Sequence, residues 1–285
     1  MNSSGNISMD RIKSISSAGG LGKTKVRSLN SFVGLRTITV AFFIFLYAPI
    51  LVLVVLSFNA GDSTATWSGF GLQAYRTLAA DGALRQAAGN SLIVACFATI
   101  GSTLVATLAA IALHGRRGAM EQITGSAITF PLLVPEIVTA VATLLALSVL
   151  AIPLGLATIM FAHTVFCLPF AFLPVKARLA DMDGRLLDAA ADLYATPFRA
   201  FRAVTLPLMV PGIVAGAMLA FITSIDNFVI TYFVAGAGYT TLPVYIYGVV
   251  KVGVSPEINA ISTVLLAVSV SLVTLSYFVG KLRRI

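Results

Sequence analysis

Asp181-Met-Asp-Gly-Arg-Leu-Leu-Asp-Ala-Ala-Ala-Asp-Leu-Tyr-Ala-Thr-Pro-Phe-Arg-Ala-Phe-Arg-Ala-Val-Thr-Leu-Pro-Leu-Met-Val-Pro-Gly212 is the stretch on which the reading of this chain turns. Leu186, Leu187, Ala190, Leu193 and Tyr194 recur at helical spacing, which predicts an amphipathic helix with one apolar stripe. Thr196-Pro197 has the chemistry of an N-cap followed by a first helical residue. It opens a second short helix through Phe198, Phe201 and Val204. Leu206-Pro207 then begins a long apolar run, with Pro211-Gly212 close behind. Tyr194, Phe198 and Phe201 stand among arginines, a composition that suits a protein interface better than a solvated hairpin joining two segments.

Outward from this stretch the chain is apolar on both sides. Of 285 residues 58% are hydrophobic and only 11% charged, with a mean hydropathy of +0.95. A soluble domain of this length needs more polar surface, so lipid is the better solvent for this composition. About 20 apolar residues cross a bilayer as a helix. Six runs qualify: Thr37 to Phe58, Ala88 to Leu113, Ile123 to Leu150, Leu156 to Val175, Pro207 to Val234, and Glu257 to Gly280. The third holds Pro131 and Pro135 and is expected to kink or start unwound; proline-rich breaks are also expected in the fourth. Residues 1–36 form a Ser/Gly/Lys-rich tail, expected to be disordered, ahead of a membrane domain over residues 37–285.

Charge orients these runs. The tail, the second-to-third connection, the fourth-to-fifth connection and the C-terminus together hold sixteen of the 19 basic residues. Arg76, Arg85 and Lys251 alone fall on the other side. By the positive-inside rule both termini are cytoplasmic, and six passes return the chain to the side where it began. The net charge of +8 is thus a topological signal and does not point to nucleic acid. Cys96 and Cys167 lie inside apolar runs with no disulfide or metal-ligand spacing. Gly22-Lys23-Thr24 is no phosphate-binding loop, because Ser17 stands where its first glycine belongs and no strand precedes it. No catalytic residue, nucleotide site or metal site is read.

Asp188-Ala189-Ala190, with Leu206-Pro207 downstream, resembles the EAA loop of binding-protein-dependent ABC importer permeases. Tyr194 stands where that family usually has glycine. Other blocks extend the resemblance over nearly everything after residue 37. They are Ser57-Phe58-Asn59, Trp67 to Phe70, Asn90-Ser91-Leu92, Pro131 to Val138, Ser224 to Thr231, Thr241-Leu242-Pro243 and Pro256 to Ala260. In order and spacing they are similar to the second permease subunit of spermidine/putrescine importers. The resemblance implies an all-α integral membrane fold, the type I importer domain, in a bacterial inner membrane. It implies a coupling loop formed by Asp188, Ala189, Ala190, Tyr194, Pro197, Phe198, Phe201, Leu206 and Pro207. It also implies partners: two copies of an ATP-binding subunit carrying ATP and Mg, a second homologous permease, and a periplasmic substrate-binding protein. No cofactor is expected on this chain. Relatives of this kind carry opines and other small organic ions as well, and a stand-alone secondary transporter is the competing class; the chain lacks the matching halves such proteins often show.

Charged groups at membrane depth are costly, which singles out Glu136 and Asp226. Toward a polycationic substrate, Asp226 and Asn227 would line the path, with Phe228 and Tyr232 adding cation–π faces. The alternative for Asp226 and Glu136 is hydrogen bonding across helices, or, for Glu136, satisfying backbone freed at the kink. His163 reads as a hydrogen-bonded packing residue, and Gly212-x-x-x-Gly216 as a close helix contact.

Overall fold

The structure, a computed structural model, describes residues 33–61, 66–115, 118–253 and 256–282. The tail expected to be disordered lies outside the described residues up to position 32. Those described are helical apart from turns, loops and one antiparallel bridge between Asn59 and Phe70. The chain divides into two units at Val52 and Leu53. The first holds most of helix α1 (Val33–Leu56), which runs through Pro49 and lines up Phe42, Phe43 and Tyr47 along its length.

In the second unit follow α2 (Gln73–Ala80), α3 (Gly82–Leu113), α4 (Ala119–Thr129) and α5 (Glu136–Val149). Then come α6 (Leu156–Ala180), α7 (Arg185–Asp192) and α8 (Pro197–Ala200), and α9 (Leu206–Ile225) with α10 (Val229–Val234). The chain closes with α11 (Leu242–Val252) and α12 (Pro256–Leu282). Helices α3, α6 and α9 pack on one another and hold the core. Their contact surfaces are built from small residues, among them Ala106, Ala110, Ala171 and Ala220, with Phe172 and Met209 filling the gaps. In lipid no hydrophobic drive pulls helices together, so close approach of small residues supplies the packing.

The glycine pair sits at this contact, as expected. A Cβ on Gly216 would lie 2.6 Å from the Ala171 carbonyl oxygen, and one on Gly212 2.5 Å from Arg178 Cβ. Arg178 Nε donates to the Leu208 carbonyl at 2.8 Å beside them. Gly216→Ala must therefore push α6 from α9, at about 1–3 kcal/mol of overpacking. A lower melting temperature of the purified subunit is the expected result. Gly248→Ala, where nothing lies within 4 Å, should leave that temperature unchanged or raised.

Among the described residues four helices are long and apolar enough to cross a membrane: α1 from Arg36, α3, α6, and the stretch Pro197–Ile225. The third apolar run is two helices bent by 106°, α4 with a 3-10 turn to Leu132, then α5 from Glu136, and counts as a fifth if it is one span. Pro135 stands at the break and disfavours a helical Val134 before it, so the expected disruption is present. Three expectations differ. The fourth run continues as α6 straight through Pro169 and Pro174, because neighbouring helices can satisfy freed backbone groups in lipid. The fifth starts earlier, at Pro197, and breaks at 226–228 with no proline or glycine to announce it. The second short helix after Thr196 is one turn, continuing through a π turn (Phe201–Thr205) directly into α9. Pro207 explains the widening: in a regular helix its ring would collide with the Ala203 carbonyl and its missing N–H would leave that oxygen unpaired.

Candidate functional site

Two places gather the residues singled out above. The first is the connection between α6 and α9. Asp183 starts it, accepting from the Arg185 amide at 3.0 Å and pairing with Arg185 Nε at 3.2 Å. Helix α7 then runs to Asp192 and stops in a Schellman motif. The Ala195 amide donates to the Ala190 carbonyl at 3.0 Å and the Tyr194 amide to the Ala191 carbonyl at 2.9 Å. The motif requires a left-handed residue at position 194, and Tyr194 supplies it with φ of +56°. The sequence pattern thus extends the helix too far: Leu193 and Tyr194 lie past its end, not on its stripe, because the chain reverses there. Thr196 caps α8 by accepting from the Arg199 amide at 3.4 Å, with Pro197 as first helical residue.

Tyr194 is 96% exposed and Phe198 73%, whereas Phe201 is half-buried and so not part of the exposed set expected. Asp188, Ala189, Pro197 and Pro207 are exposed, Leu206 half-buried and Ala190 buried. Left-handed geometry costs a residue with a Cβ about 1–2 kcal/mol relative to glycine. Tyr194→Gly is accordingly expected to slow hydrogen exchange at the Ala195 amide by about fivefold, the equivalent of ~1 kcal/mol. Faster exchange would contradict the geometry.

The second place is where two helix breaks face each other. Glu136 begins α5, and Asn227 lies in the break between α9 and α10. Asn227 Nδ2 donates to Glu136 Oε1 at 2.6 Å, while its Oδ1 accepts from the Ile230 amide at 3.0 Å and so satisfies a donor in the first turn of α10. One buried amide therefore bridges the two interrupted runs. Asp226, beside it, is exposed. Phe228 lies 5.2 Å from Tyr232 and 4.8 Å from Tyr247, with the two tyrosine rings 5.8 Å apart at 82°. Tyr247 was not among the expected site residues; its only sequence signal is the tyrosine-rich stretch from Tyr239 to Tyr247. His163 is buried with both ring nitrogens hydrogen-bonded, the packing role expected of it.

The remaining blocks meet at the other end of the helices from the α6–α9 connection. Asn59 Nδ2 donates to the Thr66 carbonyl and its Oδ1 accepts from the Ser68 amide, both at 2.8 Å, while Phe58 stacks on Phe70. Asn90 Nδ2 donates to the Thr240 carbonyl at 3.0 Å, and Ser91 Oγ accepts from the Leu242 amide at 2.7 Å. Asp81 caps α3 and accepts from the Tyr245 hydroxyl. That bond, followed by donation from the Leu84 amide, holds the Asp81 carboxyl below its ordinary range; the same bond pushes the Tyr245 hydroxyl up to about 12.

Residues 102–283 match the family described as binding-protein-dependent transport system inner membrane component. The chain is 39% identical over 241 residues to the spermidine/putrescine transport system permease protein PotC of Escherichia coli (strain K12), covering 85% of this chain and 91% of that one. It is likewise 39% identical over 232 residues to the putrescine transport system permease protein PotI of the same strain, covering 79% and 82%. In fold it is similar to a chain of a bacterial ABC transporter involved in the import of the acidic polysaccharide alginate. There the TM-score is 0.64 at 14% identity, over 98% of this chain and 99% of that one. The MetNI methionine ABC transporter gives a TM-score of 0.58 at 19% identity, over 68% and 92%. This chain belongs to the family of binding-protein-dependent transport system inner membrane components, the permease subunits of ABC importers whose nucleotide-binding activity lies on a separate subunit.

Proposed function

We propose that this chain forms half of the translocation path of an ATP-driven importer for polyamines of the spermidine and putrescine class. The observation that carries the reading is the bridge from Asn227 to Glu136, which joins two helix breaks beside the exposed Asp226 carboxylate. Phe228, Tyr232 and Tyr247 stand next to it as π faces. Carboxylate and aromatic rings are the groups that attract a desolvated ammonium. Relatives named for spermidine and putrescine, at 39% identity over most of the chain, support the same substrate class.

Six passes with both termini cytoplasmic complete the arrangement, α12 being the sixth. The connection from Asp181 to Thr205 then faces the cytoplasm, where Asp188, Tyr194 and Phe198 dock on an ATP-binding subunit. Two such subunits, a second permease and a periplasmic binding protein make up the assembly. Closure of the ATPases pushes paired loops and rocks the spans between inward- and outward-facing states.

Substrate-stimulated ATPase activity of the assembled complex tests this across polyamines, opines and organic acids, each with saturating loaded binding protein. Stimulation by polyamines is expected. Asp226→Asn should lower polyamine turnover by about 10- to 100-fold, the loss of a hydrogen bond to a charged group worth ~1.5–3 kcal/mol. A response only to anionic substrates removes both the substrate class and the role of Asp226.

A further inference from the structure

The break at 226–228 has neither proline nor glycine to shape it, and α9 and α10 on either side of it both pack against one helix. The helix that runs unbroken alongside both is α6. Down its length Thr158 Oγ1 donates to the Val234 carbonyl at 3.1 Å, and Cys167 Sγ donates to the Ala220 carbonyl at 3.4 Å. Between them lies His163, whose Nδ1 is 2.9 Å from Ser224 Oγ and whose Nε2 is 2.9 Å from Thr231 Oγ1. Ser224 belongs to the last turn of α9 and Thr231 to the first turn of α10, so one planar ring touches both sides of the interruption.

All three side chains are buried, His163 at 1%, Ser224 at 4% and Thr231 at 0% exposure. A neutral imidazole offers one donor and one acceptor, and each hydroxyl can serve as either. Both bonds can therefore form at once in either tautomer, with no charge to bury. The ring has no rotatable bond between its two nitrogens, so it holds the two hydroxyls at one separation. An apolar side chain of similar size would fill the space and leave Ser224 and Thr231 without these bonds.

We propose that His163 is a positioning residue, a splint that holds the two halves of the broken span so that Asn227 turns in to Glu136 and Asp226 turns out. It acts on transport through the break and touches no substrate. The inference rests on the reading of the break as part of the path.

The test uses the assembled complex carrying His163→Ala, His163→Asn or His163→Gln. Turnover per complex is measured at saturating loaded binding protein, and hydrogen exchange is followed at amides 222–231. His163→Ala is expected to lower turnover and speed exchange at the break, each by at least about tenfold, as misplacement of a positioned group does. The half-saturating concentration of binding protein and exchange within α3 should not move. The asparagine and glutamine variants each retain reach to one of the two hydroxyls and should recover part of both losses. Unchanged exchange at the break, or faster exchange throughout the subunit, overturns the splint. If Asp226→Asn slows turnover and His163→Ala does not, the splint falls while the path stands. If exchange at the break rises and neither variant slows turnover, the path reading falls and the splint stands.

Discussion

An Asn227→Ala subunit is expected to assemble poorly and, once assembled, to transport ~30-fold more slowly, because one buried and one half-buried hydrogen bond vanish together. The amide nitrogen leaves Glu136 Oε1, and the amide oxygen leaves the Ile230 amide. A donor orphaned away from water, as the buried Ile230 amide would be, costs about 1–3 kcal/mol, and the lost bond to half-buried Glu136 adds to it at the same break. Glu136→Gln is the milder change, since its side-chain oxygen still accepts from Asn227. Quantified assembly and initial uptake rates distinguish the two; wild-type uptake by Asn227→Ala would remove the bridge from the transport cycle.

The second large effect is expected at the other end of the subunit. Asp188 lies in the first turn of α7, exposed, where a carboxylate also suits the positive end of the helix dipole. Asp188→Arg reverses the charge at the centre of the proposed docking face and should weaken capture of the ATP-binding subunit by at least ~30-fold, the scale of an interface hot spot of ~2 kcal/mol or more. Insertion and packing of the permease should be untouched. Arg185→Ala breaks only an exposed pair with Asp183 and should cost under ~1 kcal/mol. Pull-down of the ATPase subunit by each variant reads the difference, and equal capture would contradict the docking role of Asp188.

What the sequence shows and what it hides follow a physical line. Apolar runs located the long helices, because bilayer thickness imposes a length on them. Capping chemistry was legible at Thr196-Pro197, and the Gly212–Gly216 spacing marked a true close approach. The kink after Pro131 was announced by proline; the break at 226–228 was not. At that break Asn227 accepts from the Ile230 amide and donates to Glu136, a partner 91 residues away that local sequence does not reveal. Pro169 and Pro174 misled in the opposite direction, since a membrane helix can carry a proline where its surroundings satisfy the freed backbone group, which local sequence does not record. Leu193 and Tyr194 keep helical spacing after the helix has ended, because hydrophobic periodicity carries no record of the sign of φ. Tyr247 joins Phe228 and Tyr232 only through the fold.

The central claim is that this chain moves a polyamine only when another subunit hydrolyses ATP. Uptake of labelled putrescine into proteoliposomes measures it directly, with the chain alone, with its companion permease, and with the full assembly. Uptake is expected only when the ATP-binding subunit, ATP and the loaded binding protein are all present, and it should fall sharply when the permease carries Asp188→Arg. Uptake by the chain alone, driven by an ion gradient without ATP, would contradict the claim.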